Sequence, residues 1–476
     1  MKKNKFYITT PIYYTNAKPH IGHAYTTVAC DVLARWNRQQ LGNENVFFLT
    51  GTDEHGMKIQ KKAEEVGKKP QEFVDEIVSE FKNLWSKEKL NIKYDNFIRT
   101  TDSAHIKAVQ KVLQTLFDKG AIYKGEYEGL YCTGCEQFKN ENELVDGKCP
   151  DHDIVPEKMK EECYLMKMTS IQSDLVKKIE SNEFEIAPEK YKNEILSFLK
   201  NQTLNDVSIS RKNVSWGIPI PFDPKHTTYV WVDAFLNYLT GLGWDGDEKK
   251  FPKFWPADIN MIGKDILRVH ATIWPAILIH LGIELPKMLF THGHILSGGK
   301  KMSKTLGNVI TIDEMLSKFG TDGTRYLLMS GGTFGDDLDL TMERMTEKYN
   351  ADLANGLGNL VSRVIKLVQN INKSVDPYKS NLLQSEISKK LEEVQIDRAL
   401  EAIWSCVKDA NKEIEDNKPW ELAKKDTSKL KEVMEHLMLE LYMIADYLLP
   451  FMPETAEKIK TALKTKKIEP LFQRIK

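Results

Sequence analysis

The stretch that most constrains this chain runs from Tyr7 to Thr27, YITTPIYYTNAKPHIGHAYTT. Phe6, Ile8 and their neighbours are β-branched or aromatic and read as a short strand. Pro11 ends it, and TNAKP supplies turn chemistry. From Ile21 the apolar residues Ala24, Val28, Val32 and Trp36 keep a helical spacing to about Gln40. Val46 to Leu49 is then a continuous apolar run, as in a buried parallel strand, and it breaks into Gly51, Asp53, Glu54 and His55. Strand, helix and strand with polar residues at both strand C-termini open a doubly wound, Rossmann-like parallel sheet. Ligands collect at the carboxyl ends of such a sheet.

His20 and His23 lie three apart on the first turn of that helix, with Gly22 between them. A helix N-terminus attracts phosphate through its N–H groups and dipole. Imidazoles placed there can stabilise phosphate oxygens whose charge grows during a reaction. Gly22 would let a flat base lie against the backbone. Alone, four residues fit a capped helix with two surface histidines equally well.

Lys plus Arg total 67 against 68 for Asp plus Glu, so net charge neither indicates nor excludes nucleic acid, and any basic surface is local. No apolar run approaches the ~18 residues of a membrane span. The N-terminus MKKNKFYITT lacks a signal-peptide core. Six cysteines in 476 residues do not make a disulfide scaffold, and three cluster like metal ligands, so a reducing cytoplasm is expected.

Helical patterns fill roughly Lys58 to Leu90 and His105 to Lys119. From about Ala121 the texture changes: Tyr123 to Tyr131 reads as hairpin material, and a cysteine-rich loop follows. Tyr229 to Leu239 and Ile259 to Gly282 each look like a strand entering a helix. Met345 to about Leu463 is helical by period, with breaks at Val375-Asp376-Pro377 and Lys418-Pro419. The expected architecture is α/β, with the sheet domain in two parts, 1–119 and 222–290, around an insertion at 120–221. A lysine-loop region at 291–344 and an all-α bundle at 345–476 follow.

SGGKKMSKTLGN, Ser297 to Asn308, places Lys301 and Lys304 in a loop that Gly298, Gly299 and Gly307 make mobile. Such a loop can close cations over a triphosphate. A third pattern is metallic. Cys132 and Cys135 form a C-x2-C knuckle, and Cys149 and His152 repeat the separation after thirteen residues. That is the spacing of a tetrahedral structural Zn2+ site. Cys163 is the rival fourth ligand, ranked below His152, and chance cysteines or a redox pair are the other readings. Cys30 and Cys406 fall on helical patterns as inert core residues.

His20-Ile21-Gly22-His23 together with Lys301-Met302-Ser303-Lys304-Thr305 resembles the HIGH and KMSKS motifs of class I aminoacyl-tRNA synthetases. Thr305 departs from the usual Ser but keeps a hydroxyl. TPIYYTNAKPHIGHAYTT, LTGTDEHG, SRKNVSWGIPIP, YVWVDAFLNYL and GKDILRVHATIWPA, with the helical C-terminal part, are similar to methionyl-tRNA synthetases of bacterial and organellar type across nearly the whole chain.

The resemblance implies ATP-dependent activation of methionine to methionyl-adenylate, with Mg2+, and transfer to tRNA(Met). It implies His20 and His23 on the reacting phosphate and Lys301 and Lys304 on the phosphates. Asn16 and Gly22 would also contact ATP, with Asp265 on its ribose. Asp53 would pair with the methionine ammonium. Ile12, Tyr14, Trp231, Ala234, Tyr238, Ile266 and His270 would line the thioether pocket, with Tyr14 and His270 offering weak hydrogen bonds to sulfur. In a family of this kind 120–221 is the zinc-binding connective domain and 291–344 contacts the tRNA stem. The bundle binds the anticodon, with Asn359, Arg363 and Trp420 as its readers. Trp420 also fits an interhelical packing role, and Trp231 a plain core role.

Synthetases for leucine, isoleucine or valine carry a far larger inserted editing domain than 120–221. A synthetase-like RNA-binding protein without catalysis should lack a motif histidine or lysine, and none is missing. No appended tRNA-binding, dimer-forming domain is visible, so a monomer is expected.

Overall fold

The computed structural model describes residues 4–132, 137–139, 141, 144–150, 153–212, 214–247, 251–302, 307–369 and 381–476. They divide into two units: 1–19, 44–84 and 94–291 form a sheet unit, and 20–43, 85–93 and 292–476 a helical unit.

In the sheet unit, strands β1 (Phe6–Thr9), β2 (Tyr13–Tyr14), β3 (Val46–Asp53) and β4 (Asn96–Arg99) are joined in parallel pairs. β1 is wholly buried, as its apolar run requires. Gly51 of β3 is needed where β4 runs beside it, because a Cβ there would lie 2.1 Å from the Ile98 carbonyl oxygen. The pattern at 58–90 resolves into two helices, α2 (Met57–Glu65) and α3 (Pro70–Trp85). Gly67 takes a φ of 68° between them, and Pro70 starts the second. Helix α4 (Ser103–Asp118) stands where its period placed it.

Strands β5 (Ile122–Cys132) and β7 (Glu157–Met166) form a long antiparallel ribbon, flanked by β6 (Gln137–Lys139) and β9 (Val207–Ser208). Tyr123–Tyr131 therefore lies within one strand, whose end pairs antiparallel with β6, Cys132 opposing Gln137. Within the same stretch, between helices α5 (Gln172–Glu180) and α6 (Glu189–Asn201), β8 (Glu185–Ala187) joins the edge of the main sheet, parallel to β14 (Met288–His292). The main sheet runs β2-β3-β1-β13-β14-β8, where β13 is Ile259–Gly263, and β4 also pairs β3. Helix α9 (Leu267–Leu281) follows β13 as its pattern predicted.

The segment at Tyr229 differs from its expected strand. The strand is the preceding Asp223–Thr228, polar in composition, and Tyr229 caps helix α7 (Val230–Phe235), which runs into α8 (Asn237–Thr240). That strand, β12, lies antiparallel to β10 (Ser210–Arg211) and β11 (Pro219–Ile220).

The helical unit holds α1 (Ile21–Leu41) and α10 (Ile312–Ser330), the latter kinked at Gly320. A small sheet of Ile295–Ser297, Lys300–Lys301 and Leu338–Asp339 accompanies them. A continuous helical run then covers α11 (Met342–Lys348), a π-type stretch Tyr349–Gly358 and α12 (Asn359–Val368). Helices α13 (Asn381–Glu392), α14 (Ile396–Asn417), α15 (Pro419–Lys425), α16 (Thr427–Leu448) and α17 (Pro453–Thr465) complete it. The break at Lys418-Pro419 is real, with Lys418 left-handed, while Val375-Asp376-Pro377 lies outside the described residues. No described helix is long and apolar enough to cross a membrane.

Candidate active site

The two motif histidines form the cap of α1. The Nδ1 of His20 accepts from the Gly22 amide at 3.1 Å, and the Nδ1 of His23 accepts from the His20 amide at 3.1 Å. This is a capping box built from two imidazoles. Each Nδ1 accepts, so these partners assign the ring proton to Nε2 in both. The rings stack with centroids 3.7 Å apart. Burial, and then the neighbouring His20 ring, hold His23 well below the usual imidazole value, so it is neutral at pH 7. Gly22 has a neighbour the sequence did not show: a Cβ there would lie 2.9 Å from His20 Cε1. Its missing side chain makes room for the folded-back ring.

Lys301 is exposed on the second strand of a hairpin, with Leu296 opposite Lys301 and Ser297 opposite Lys300. Gly298 and Gly299 both take positive φ, 62° and 73°, as a tight two-residue turn requires. This part of the expected mobile loop is thus ordered pairing. Asn308 Nδ2 reaches the carbonyl oxygens of both Ser297 and Lys301 at 3.3 Å. Lys304 and Thr305 lie outside the described residues. Thr26 of α1 bonds His292 Nε2 at 2.7 Å, ahead of the hairpin.

In the sheet unit the candidate amino-acid residues gather at the carboxyl ends of strands. Asp53 closes β3 opposite Tyr14 of β2, and its carbonyl accepts from the Thr15 amide at 3.0 Å. Asp265 is exposed in the turn after β13, and Asn16 is half-buried in the turn after β2. Ala234, Tyr238 and His270 are buried. Ile12, Trp231 and Ile266 are partly buried against the same core, and Tyr14 is half-buried. Trp231 stands edge-on to His270 with centroids 6.2 Å apart.

His270, expected beside the thioether, has partners on both ring nitrogens within the protein. Its Nδ1 donates to the Ile266 carbonyl at 2.9 Å, which leaves Nε2 to accept from the Tyr238 hydroxyl at 2.8 Å. Burial pushes His270 down to about 4, against the pull of the Ile266 carbonyl, so the ring is neutral and both nitrogens are occupied.

Several residues of this region escaped the sequence reading. Glu54 is fully buried and takes both oxygens of a bidentate pair with Arg99, at 2.7 Å each, plus the hydroxyls of Thr52 and Thr101. Asp233 is buried between two imidazoles, His55 Nδ1 at 2.7 Å and His105 Nε2 at 2.8 Å. The only signal in the sequence was an acid amid apolar residues in VWVDAF.

Of the expected zinc ligands, Cys132 and Cys149 are described and completely buried, while Cys135 and His152 lie outside the described residues. Cys132 ends β5 opposite Gln137 of β6, and the Cys149 backbone carbonyl accepts from the Asp153 amide at 2.8 Å. Two buried thiols fit the donor set of a thiolate-rich site. Cys163 is displaced as the rival ligand. It opposes Gly125, seven residues along β5 from Cys132, or roughly 20 Å at strand rise.

In the helical unit Asn359 is exposed at the start of α12, and Arg363 follows one turn on. The Arg363 guanidinium sits 5.8 Å from the centroid of Trp420 and pairs with Glu415 at 2.7 Å. Trp420 is 44% exposed, so it is not an interhelical packing residue.

A parallel nucleotide-binding sheet, a lysine hairpin and a terminal helical bundle define a class I aminoacyl-tRNA synthetase. The family model of class I (M) tRNA synthetases matches residues 6–155 and 152–365. The model of the anticodon binding domain of methionyl tRNA ligase matches 357–472. The methionine–tRNA ligase of Clostridium acetobutylicum is 48% identical, covering 97% of this chain and 74% of that relative. That of Clostridium tetani is 46% identical over the same shares. The solved Mycobacterium tuberculosis methionyl-tRNA synthetase in complex with methionyl-adenylate superposes with a TM-score of 0.89 at 37% identity, over 96% of this chain and 93% of that one. This chain belongs to the methionyl-tRNA synthetase family.

Proposed function

We infer that the chain activates L-methionine with ATP and transfers it to the 3′ end of tRNA(Met). What carries the reading is the imidazole capping box of α1, whose two Nδ1 bonds leave the ring proton of each histidine on Nε2, at a helix N-terminus in a chain of this family. In the first step a methionine carboxylate oxygen bonds to the α-phosphorus of ATP. The bond to the bridging oxygen breaks, and pyrophosphate leaves with its electron pair. The terminal ribose hydroxyl of tRNA then displaces AMP from the carbonyl carbon. No side chain forms a covalent intermediate, so positioning and charge stabilisation supply the acceleration.

His20 and His23 donate to phosphate oxygens as their charge grows. Lys301 and Lys304 neutralise the phosphates, Asn16 contacts the triphosphate, Gly22 lies beside the nucleotide and Asp265 takes its ribose hydroxyls. Mg2+ accompanying ATP supplies further neutralisation when bound. Asp53 pairs with the methionine ammonium, and Ile12, Tyr14, Trp231, Ala234, Tyr238, Ile266 and His270 enclose the side chain. Specificity there rests on shape and on the Tyr14 hydroxyl, because His270 and Tyr238 bond each other. Cys132, Cys135, Cys149 and His152 would hold a structural Zn2+ that orders the turns of the 120–221 region. Asn359, Arg363 and Trp420 read the anticodon by stacking and base-edge contacts.

The test is ATP–pyrophosphate exchange run separately with methionine, leucine, isoleucine, valine and cysteine. Exchange with methionine alone is expected. Exchange with another amino acid would overturn the pocket assignment, and none from folded, zinc-loaded protein would overturn the enzyme.

A further inference from the structure

Helices α7 and α8 together span 11 residues, Val230–Thr240, yet they carry Trp231, Ala234 and Tyr238. Helices this short have almost no stability of their own. Something else must fix them. Asp233 of α7 accepts from His55 Nδ1 through Oδ2 and from His105 Nε2 through Oδ1. The other nitrogen of His105 bonds Thr240 Oγ1 at 2.7 Å, at the end of α8. His105, on α4, therefore holds both short helices at once. His55 lies two residues beyond Asp53, and its segment is pinned on both sides. Glu54 is clamped by Arg99, and the Gly56 amide donates to the Trp216 carbonyl at 3.0 Å.

We propose that His55, Asp233, His105 and Thr240 are a positioning network that sets methionine affinity by locking α7 and α8 to each other and to the segment carrying Asp53. It rests on the methionine reading above and adds the residues that hold its pocket in place. His55, Asp233 and His105 are no more than 5% exposed, so they act through their neighbours. A buried carboxylate is a costly way to fill a core, and an apolar group of the same shape would pack as well. What a charged acceptor adds is direction: two N–H groups must converge on it from α4 and from the end of β3. The two imidazoles outweigh the burial that opposes ionisation of Asp233 and keep it charged at neutral pH.

The experiment is steady-state pyrophosphate exchange of the full chain, with Asp233→Asn and Thr240→Val compared to wild type. Asp233→Asn keeps the shape and removes the charge, and KM for methionine should rise about tenfold, while kcat and KM for ATP stay within about twofold. Thr240→Val cuts one link without altering volume, so the same parameter should rise about threefold. Methionine KM unchanged in the folded variants, or methionine and ATP KM rising by the same factor, would overturn the proposal. Should Asp233→Asn fail to fold, Thr240→Val decides by the same split. A wild-type chain that exchanges with another amino acid but not with methionine would overturn the underlying reading, and the network's role with it.

Discussion

An alanine at position 22 would set its Cβ 2.9 Å from Cε1 and 3.1 Å from Nδ1 of His20, so the imidazole must shift away from the Gly22 amide that it caps. The cap bond lost is worth about 1 kcal/mol, but the larger effect is on orientation, because Nδ1 no longer fixes where Nε2–H points. Gly22→Ala should lower methionine-dependent exchange by about 10²-fold with a melting temperature only a few degrees down. A normal rate would mean the ring's position is immaterial. His270 makes a second prediction, in pH. Its folded value of about 4 lies below the ordinary 6.5, so the unfolded chain takes up the proton first as pH falls. The stability conferred by the buried neutral ring is complete above pH 6.5 and is lost toward pH 4, about 3 kcal/mol in all. Urea midpoints of wild type and His270→Gln at pH 7.5 and 5 measure it, and equal pH slopes would remove His270 as the cause. The histidines themselves were legible because residue type and spacing reveal them. Which nitrogen each one spends on the backbone was not, since that depends on ring rotation.

At the scale of elements, local chemistry was read where a period or a turn residue controls it. Helix α1 follows its apolar spacing, and the break at Lys418-Pro419 is written in the proline. By composition Gly298-Gly299 suggests mobility, whereas two adjacent positive φ values make a hairpin. Composition cannot separate these, because glycine serves both. The polar strand before Tyr229 was missed since it buries only one end of its length. The left-handed Lys418 and Pro419 throw Trp420 outward at the start of α15, where Arg363 of α12 covers its ring. An indole in that position offers a face to a single-stranded base, worth ~1–3 kcal/mol. Trp420→Ala should therefore raise KM for tRNA(Met) in aminoacylation about tenfold or more, leaving pyrophosphate exchange untouched. An equal fall in exchange would show that the substitution disturbs the fold rather than the reading of tRNA.

For the whole molecule, the contacts hardest to read are those between residues far apart in the chain. Asp31 and Arg325 are 294 residues apart and both completely buried, 2.7 Å from each other. Arg325 also donates to the carbonyls of Phe451, Pro450 and Leu90, so one guanidinium joins α1 and α10 to the turn between α16 and α17. Burial opposes the charge on Asp31, but Arg325, Arg35 and the Lys93 amide outweigh it and hold the carboxyl below its usual range. No periodicity marks such a pair, since each partner looks like a stray charge on an apolar helix face. Its position matters to function: Asp31 is three turns along α1 from His20, about 16 Å at helical rise, so the pair anchors the helix whose tip carries the imidazoles. Removing one partner leaves the other charge buried alone, at a cost of about 3–5 kcal/mol. Asp31→Ala and Arg325→Met should each lower the unfolding free energy read from urea titration by that amount and depress exchange in proportion to the unfolded fraction. The double variant Asp31→Leu with Arg325→Met, which removes both charges, should recover a large part of the stability. Additive losses in the double variant would mean that the carbonyl bonds of Arg325, rather than the ion pair, hold α1 in place.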